Sequence, residues 1–267
     1  MRCATPPPRP MRRTHTILAL VAVPLLLAGC DATHTEAEYA QMSDEALAES
    51  LAGLDAKAVP ANAGCRTASV WAAVNPEAVP TTLLGLRALP SSLQGPALTT
   101  LSPAEQVRVW QSRFGEAYSW LSPNQSDELR RIAQVVTPQW VEALGALSES
   151  ERAVQVHEEI GTPEALHAAF GPVALGLFTT IREIDPSNST ALSRSDHSGK
   201  GDSIYQASFA GDCDCAANSD WCNLRGHNVE CGSGANDCSS SDRGCGFLLL
   251  WSCDGGCVPT RDDPPVM

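Results

Sequence analysis

Basic residues are scarce in this chain. Eighteen lysines and arginines stand against thirty-one aspartates and glutamates, for a formal net charge of −13. They form no basic patch, which argues against nucleic acid as a partner. A glycine-rich phosphate loop is also missing, so nothing points to a nucleotide. The zinc-protease pattern HExxH is incomplete. His157-Glu158-Glu159 is followed by Gly161 where the second histidine belongs, and His167 lies further on. These residues read as a solvated helix face. Ser193, Ser195, Asp196, His197 and Ser198 supply the side-chain types of a hydrolase triad. They sit in one polar run, whereas a triad needs partners brought together on rigid supports. Cys65 has neither a nucleophile-like setting nor a nearby histidine, and reads as a free thiol, buried or paired between chains. No catalytic residue and no cofactor is therefore assigned, and the chain is not expected to be an enzyme.

Long apolar runs are lacking too. The run Ile17 to Leu27 is too short to cross a bilayer with assurance. It follows Arg12 and Arg13, as the h-region of an export signal follows its n-region. Residues 1–10 fit no signal, so Met11 is the cleaner start and Cys3 is assigned nothing. The run ends in Leu27-Ala28-Gly29-Cys30, which resembles the lipobox of bacterial lipoproteins. That resemblance implies cleavage between Gly29 and Cys30 and a diacylglyceryl group on the Cys30 thiol, with a lipid bilayer as partner. The plain alternative is a secretory signal that happens to end in cysteine. Asp31 leaves the choice of inner or outer membrane open. Beyond residue 29 fourteen basic residues face all thirty-one acidic ones, a formal charge of −17.

The middle of the chain lacks strand alternation and, apart from Cys65, cysteine. Helix starts are frequent instead. Ser102-Pro103-Ala104-Glu105, Ser122-Pro123-Asn124-Gln125 and Ser148-Glu149-Ser150-Glu151 are capping boxes, and Thr137-Pro138 and Thr162-Pro163 open helices similarly. Their spacing is irregular, which excludes a fixed-period repeat. Apolar residues keep helical faces: Leu47, Leu51 and Leu54; Val107, Trp110, Phe114, Ala117 and Leu121; Leu129, Ile132 and Val136; Trp140, Leu144 and Leu147; Val173, Leu177, Ile181 and Ile184. The expectation is a bundle of six to eight short helices, with the proline-rich stretch 58–100 least regular.

The C-terminal part reverses the composition. Cys213, Cys215, Cys222, Cys231, Cys238, Cys245, Cys253 and Cys257 fall within forty-five residues. Large apolar residues there are few: Trp221, Leu224, Val229 and the run Phe247 to Trp251. So thin a core calls for covalent staples, the usual solution for small exported domains. Zinc is the rival, but no CxxC pair occurs and His227 is the one histidine inside the segment, so no metal ligand is assigned. Eight thiols allow 105 pairings, which spacing does not resolve. A strand is expected over Phe247 to Ser252, then a turn at Asp254-Gly255 closed by Cys253 and Cys257. Tyr205 to Ala210 is a second strand candidate. The apolar run could insert into a membrane or form the core of the small domain.

The two halves together resemble the fulvocin C-related bacteriocin family. Cys213-Asp214-Cys215, Asn218-Ser219-Asp220-Trp221-Cys222, Gly244-Cys245-Gly246, Ser252-Cys253 and Gly256-Cys257 follow that family's order. Leu101-Ser102-Pro103 with Glu105-Gln106 and Trp110, and Leu121-Ser122-Pro123 with Gln125, match its helical region. The resemblance covers about residues 80–257. It implies a precursor: a helical N-terminal region and a C-terminal disulfide-bonded antibacterial peptide. One feature departs from many membrane-active peptides. From Asp212 to Cys257 seven acidic residues face two arginines, a net of −5, against charge-driven attack on anionic bacterial surfaces. A target-cell receptor or envelope component is the expected partner.

The organisation expected is mainly α-helical, with a small disulfide-rich domain carrying a short β-hairpin. Residues 1–29 are the lipoprotein signal, 30–57 a tether and first helix, 58–185 the helical domain, and 186–212 a flexible linker with Arg194 and Lys200 as cleavage candidates. Residues 213–257 are the eight-cysteine domain and 258–267 an unstructured tail. The function expected is that of an envelope lipoprotein, outside the cytoplasm, carrying a bacteriocin-related peptide that a cut in the linker releases. The alternative is a surface lipoprotein whose cysteine-rich domain binds without killing.

Overall fold

Hydroxyl side chains set the helix starts. Ser102 Oγ accepts from the Glu105 N–H at 3.4 Å while the Glu105 carboxylate accepts from the Ser102 N–H at 3.0 Å. Ser122 with Gln125 and Ser148 with Glu151 repeat this reciprocal pair. Thr137 and Thr162 each accept from the backbone N–H three residues on. Each cap satisfies N–H groups that the helix leaves unpaired. Proline at the first helical position follows four of these five caps, where its missing N–H costs nothing.

The computed structural model describes residues 34–61, 63–184, 229–233, 241–253 and 255–259. That part is mainly helical. Its helices are α1 (Glu36–Tyr39), α2 (Asp44–Leu51), α3 (Cys65–Val74), α4 (Leu83–Arg87), α5 (Ser91–Thr100), α6 (Pro103–Ala117), α7 (Pro123–Val135), α8 (Pro138–Gly145), α9 (Glu149–Glu159), α10 (Pro163–Phe170) and α11 (Val173–Thr179). Eleven helices among the described residues exceed the expected six to eight. The excess comes from short pieces such as α1, α4 and α11, which lack the length to make a periodic pattern plain. The stretch 58–100, expected to be least regular, holds α3, α4 and α5, with a 3₁₀ turn at Pro76–Ala78 between the first two.

One core gathers the apolar faces. Leu47, Leu51, Trp71, Leu86, Leu93, Trp110, Phe114, Leu129, Ile132, Leu144, Leu177 and Phe178 are all almost fully buried. The face expected through Val173, Leu177, Ile181 and Ile184 needs correction: α11 stops at Thr179 and Thr180 is extended. Ile181 stays buried, and its carbonyl accepts from Arg87 Nε at 2.6 Å.

Four strands follow among the described residues. β1 (Val229–Ser233) pairs antiparallel with β4 (Gly255–Pro259), and β2 (Ser241–Cys245) pairs antiparallel with β3 (Trp251–Cys253). The continuous strand expected over Phe247 to Ser252 is not present. Gly246, Leu248 and Leu249 have φ of 69°, 51° and 59°, and Phe247–Leu249 is a 3₁₀ turn. This left-handed run reverses the chain, so β3 pairs backwards with β2 and not across Asp254-Gly255 with β4. Val258 and Pro259 belong to the stretch expected to be an unstructured tail. They lie opposite Glu230 and Val229 at the end of the β1–β4 ladder, where a terminal proline need not donate. The signal, Cys30, the Tyr205–Ala210 candidate and the 186–212 linker lie outside the described residues.

Candidate functional site: an apolar turn clamped by buried arginines

The run Phe247-Leu248-Leu249-Leu250-Trp251 enters the helical core. All five residues are 1–4 % exposed. The 3₁₀ turn lies against α11 and α5, and β2 lies against α5 and α3. Phe247 stacks on Phe178 with ring centroids 5.4 Å apart. Phe178 meets Phe170 and Phe114 edge to face at 5.2 and 6.1 Å, and Phe114 continues to Trp110. An aromatic chain thus runs from the turn to α6. Neither placement expected for this run, in a membrane or as the core of the small domain, is what the described side chains show: they join the core that the helices build.

Two consecutive leucines in the left-handed region cost about 1–3 kcal/mol each. Burial of the five side chains is worth about 8–15 kcal/mol, so burial prevails. The conformation is held by what surrounds it.

Arg152 locks the turn in place. This residue of α9 is 4 % exposed. Its Nε donates to the Leu144 carbonyl at 3.0 Å, Nη2 to the Leu147 carbonyl at 3.2 Å, and Nη1 to the Leu250 carbonyl at 2.6 Å. Its guanidinium carbon lies 5.7 Å from the centre of the Trp251 ring. The Leu144 carbonyl belongs to the last turn of α8, where unpaired acceptors and the helix dipole both favour a cation.

A second clamp holds the chain where it leaves the helices. Arg87 forms a two-pronged pair with Glu116, at 2.8 and 2.7 Å, and donates to the Ile181 carbonyl. The Arg87 guanidinium holds the Glu116 carboxyl below the usual carboxylate range. Arg113, also buried, donates to the Gly176 carbonyl at 3.1 Å. Reading the sequence by its apolar faces passed over these arginines. The signal was there: Arg152 is four residues before Val156, and Arg113 lies midway between Val109 and Ala117, each on a buried stripe.

The residues weighed for catalysis supply none of these contacts. His157, Glu158 and Glu159 are exposed on α9, and Glu159 accepts from the Trp140 indole N–H. Cys65 begins α3. Ser193 to Ser198, Gly29, Cys213, Cys215, Cys222 and Cys238 lie outside the described residues. Cys231, Cys245, Cys253 and Cys257 occupy strand backbone. Among the described residues no three histidine, cysteine or carboxylate groups converge as metal ligands, and no helix is long and apolar enough to cross a membrane. The arrangement is one of holding, with hydrogen bonds and burial as its means.

Compared with protein-family models, curated proteins and solved structures, the chain matches none.

Proposed function

We propose that this chain is an exported bacterial lipoprotein, anchored through an acylated Cys30, that carries a disulfide-bonded, bacteriocin-related peptide as part of a non-enzymatic precursor. The supporting observation is a register. In the β1–β4 ladder Cys231 lies opposite Cys257. Cα atoms of directly opposed residues in an antiparallel pair are about 4.5–5.5 Å apart, inside the window of about 4.4–6.8 Å that a disulfide needs. Such a bond would staple the last cysteine to the middle of the eight-cysteine segment. The lipobox-like Leu27 to Cys30 supplies export to a compartment where thiols oxidise.

Two measurements test this reading. Thiol labelling of the mature chain before and after reduction should expose eight cysteines only after reduction. Substantial labelling beforehand overturns the scaffold. Mass spectrometry of culture medium should detect a fragment beginning near residues 195–212, and the oxidised peptide should inhibit neighbouring bacteria. Intact lipidated chain alone, with no inhibition, overturns the precursor reading.

A second reading, a surface binding module without killing activity, draws on a specific observation. The apolar run that would meet a target membrane is buried, and the segment around it carries a net charge of −5.

A further inference from the structure

We infer that the helical body, residues 34–184, is a binding site in cis for the returning segment 241–251, so that cutting the intervening chain yields a two-chain complex and not a free peptide. The inference deepens the precursor reading by adding a step to release. Its physical basis is independent of whether the peptide kills.

Beyond its own β2–β3 hairpin, the described contacts that hold the apolar turn come from the helices. Phe178 stacks on Phe247, α5 and α11 enclose the turn, and Arg152 donates to the Leu250 carbonyl while facing the Trp251 ring. None of these contacts involves residues 185–228. Severing that stretch removes the tether but leaves the contacts intact. The left-handed backbone at Leu248 and Leu249 points the same way. It is a conformation that an isolated peptide would relax. In the uncut chain the five large apolar side chains are thus kept from water and from membranes, with the helices contributing Phe178, α5 and Arg152. Release requires a second event, either unfolding of the helices or their digestion by a peptidase that hydrolyses them. The precursor is silent until then, even when nicked.

The experiment places a site-specific protease sequence within residues 188–200 of the full chain and cuts it under non-reducing conditions. Both fragments should elute together at the mass of the uncut chain in native buffer. They should separate in denaturant without reductant. Separation in native buffer overturns the inference. Fragments that stay joined in denaturant without reductant also overturn it, because a disulfide and not the turn would then hold them. An Arg152→Ala chain with unchanged helical circular dichroism should lose its C-terminal fragment about tenfold more readily, as expected for a lost charge-assisted hydrogen bond. Equal retention would remove Arg152 from the holding site. The unsubstituted chain decides the main claim if that variant does not fold. Killing assays play no part, so failure of the antibacterial reading and failure of this one are told apart.

Discussion

Arg152 Nη1 and the Leu250 carbonyl meet at 2.6 Å across ninety-eight residues of sequence. The same guanidinium reaches the carbonyls of Leu144 and Leu147, so one side chain ties α8, α9 and the apolar turn together. Arg152→Ala removes donors to three carbonyls in a buried place. The Leu144 carbonyl keeps the Leu147 N–H, but the Leu147 and Leu250 carbonyls lose their described donor, at about 1–3 kcal/mol each, so the expected loss is about 2–6 kcal/mol. Arg152→Lys should recover only part of it, because a single ammonium cannot reproduce the planar fork. Urea midpoints of the three chains check the order. A midpoint for Arg152→Ala equal to that of the parent would show that the clamp contributes nothing.

Backbone strain predicts an asymmetry within the turn. Leu248 has φ of 51°, whereas its equally buried neighbour Leu250 has φ of −90°. Glycine at either position loses about the same burial. At 248 it also relieves a left-handed leucine, a gain of about 1–2 kcal/mol. Leu248→Gly should therefore be less destabilising than Leu250→Gly by about that amount. Denaturant unfolding of both variants measures the difference. The reverse order would refute the left-handed assignment at Leu248.

This turn also marks where sequence reading stops. The helix starts at Ser102, Ser122, Thr137, Ser148 and Thr162 were all legible, because a cap is a local bargain between a hydroxyl and an N–H three residues away. The apolar positions of α6 and α7 were legible for a similar reason, since period and burial coincide along one helix. Phe247 to Trp251 was not. Five apolar residues in a row suit a strand, a membrane segment or a plug equally well. The choice depended on Phe178 and Arg152, far away in sequence, and local pattern carries no information about them. The arginine clamps were missed because a charged residue on an apolar stripe discloses its partner only when another helix end arrives beside it.

Two carboxylates give stability opposite dependences on pH. Glu116 is held below the usual carboxylate range, first by its hydrogen bond from Arg87 and also by the charges of Arg87 and Arg113. Its contribution is present above the unfolded-state value, about 4.3, and is lost as pH falls through the lowered folded value. Glu36 is raised by burial, which outweighs its hydrogen bonds with Gly64 and Thr67. Its contribution is present below the unfolded-state value and is lost as pH rises through the raised folded value. Glu116→Gln should therefore flatten the acid limb of the stability profile. Glu36→Gln should flatten the fall on the other side of it and leave the acid limb in place. Thermal midpoints from about pH 3 to pH 7 test both. An unchanged acid limb in Glu116→Gln would show that its pairing with Arg87 is not what acid titrates.

The opposed positions of Cys231 and Cys257 yield the most discriminating prediction for the C-terminal segment. If a disulfide joins them, Cys231→Ser and Cys257→Ser remove the same bond. Each should cost about 2–4 kcal/mol, and the double variant should cost no more than either single one, since the two changes share one interaction. Independent thiols would instead give additive losses, and two different disulfides would give a double variant worse than either single. Peptide mapping of the unreduced chain should recover the segments around Cys231 and Cys257 as one linked pair. The chemistry is a two-electron oxidation in which both thiols lose a proton and a disulfide-bearing oxidant is reduced to two thiols, so refolding in glutathione disulfide supplies the reaction. A linked pair that joins Cys231 to any other cysteine would mean that the strand register does not direct the pairing. The support it lends to the scaffold reading would then fall away.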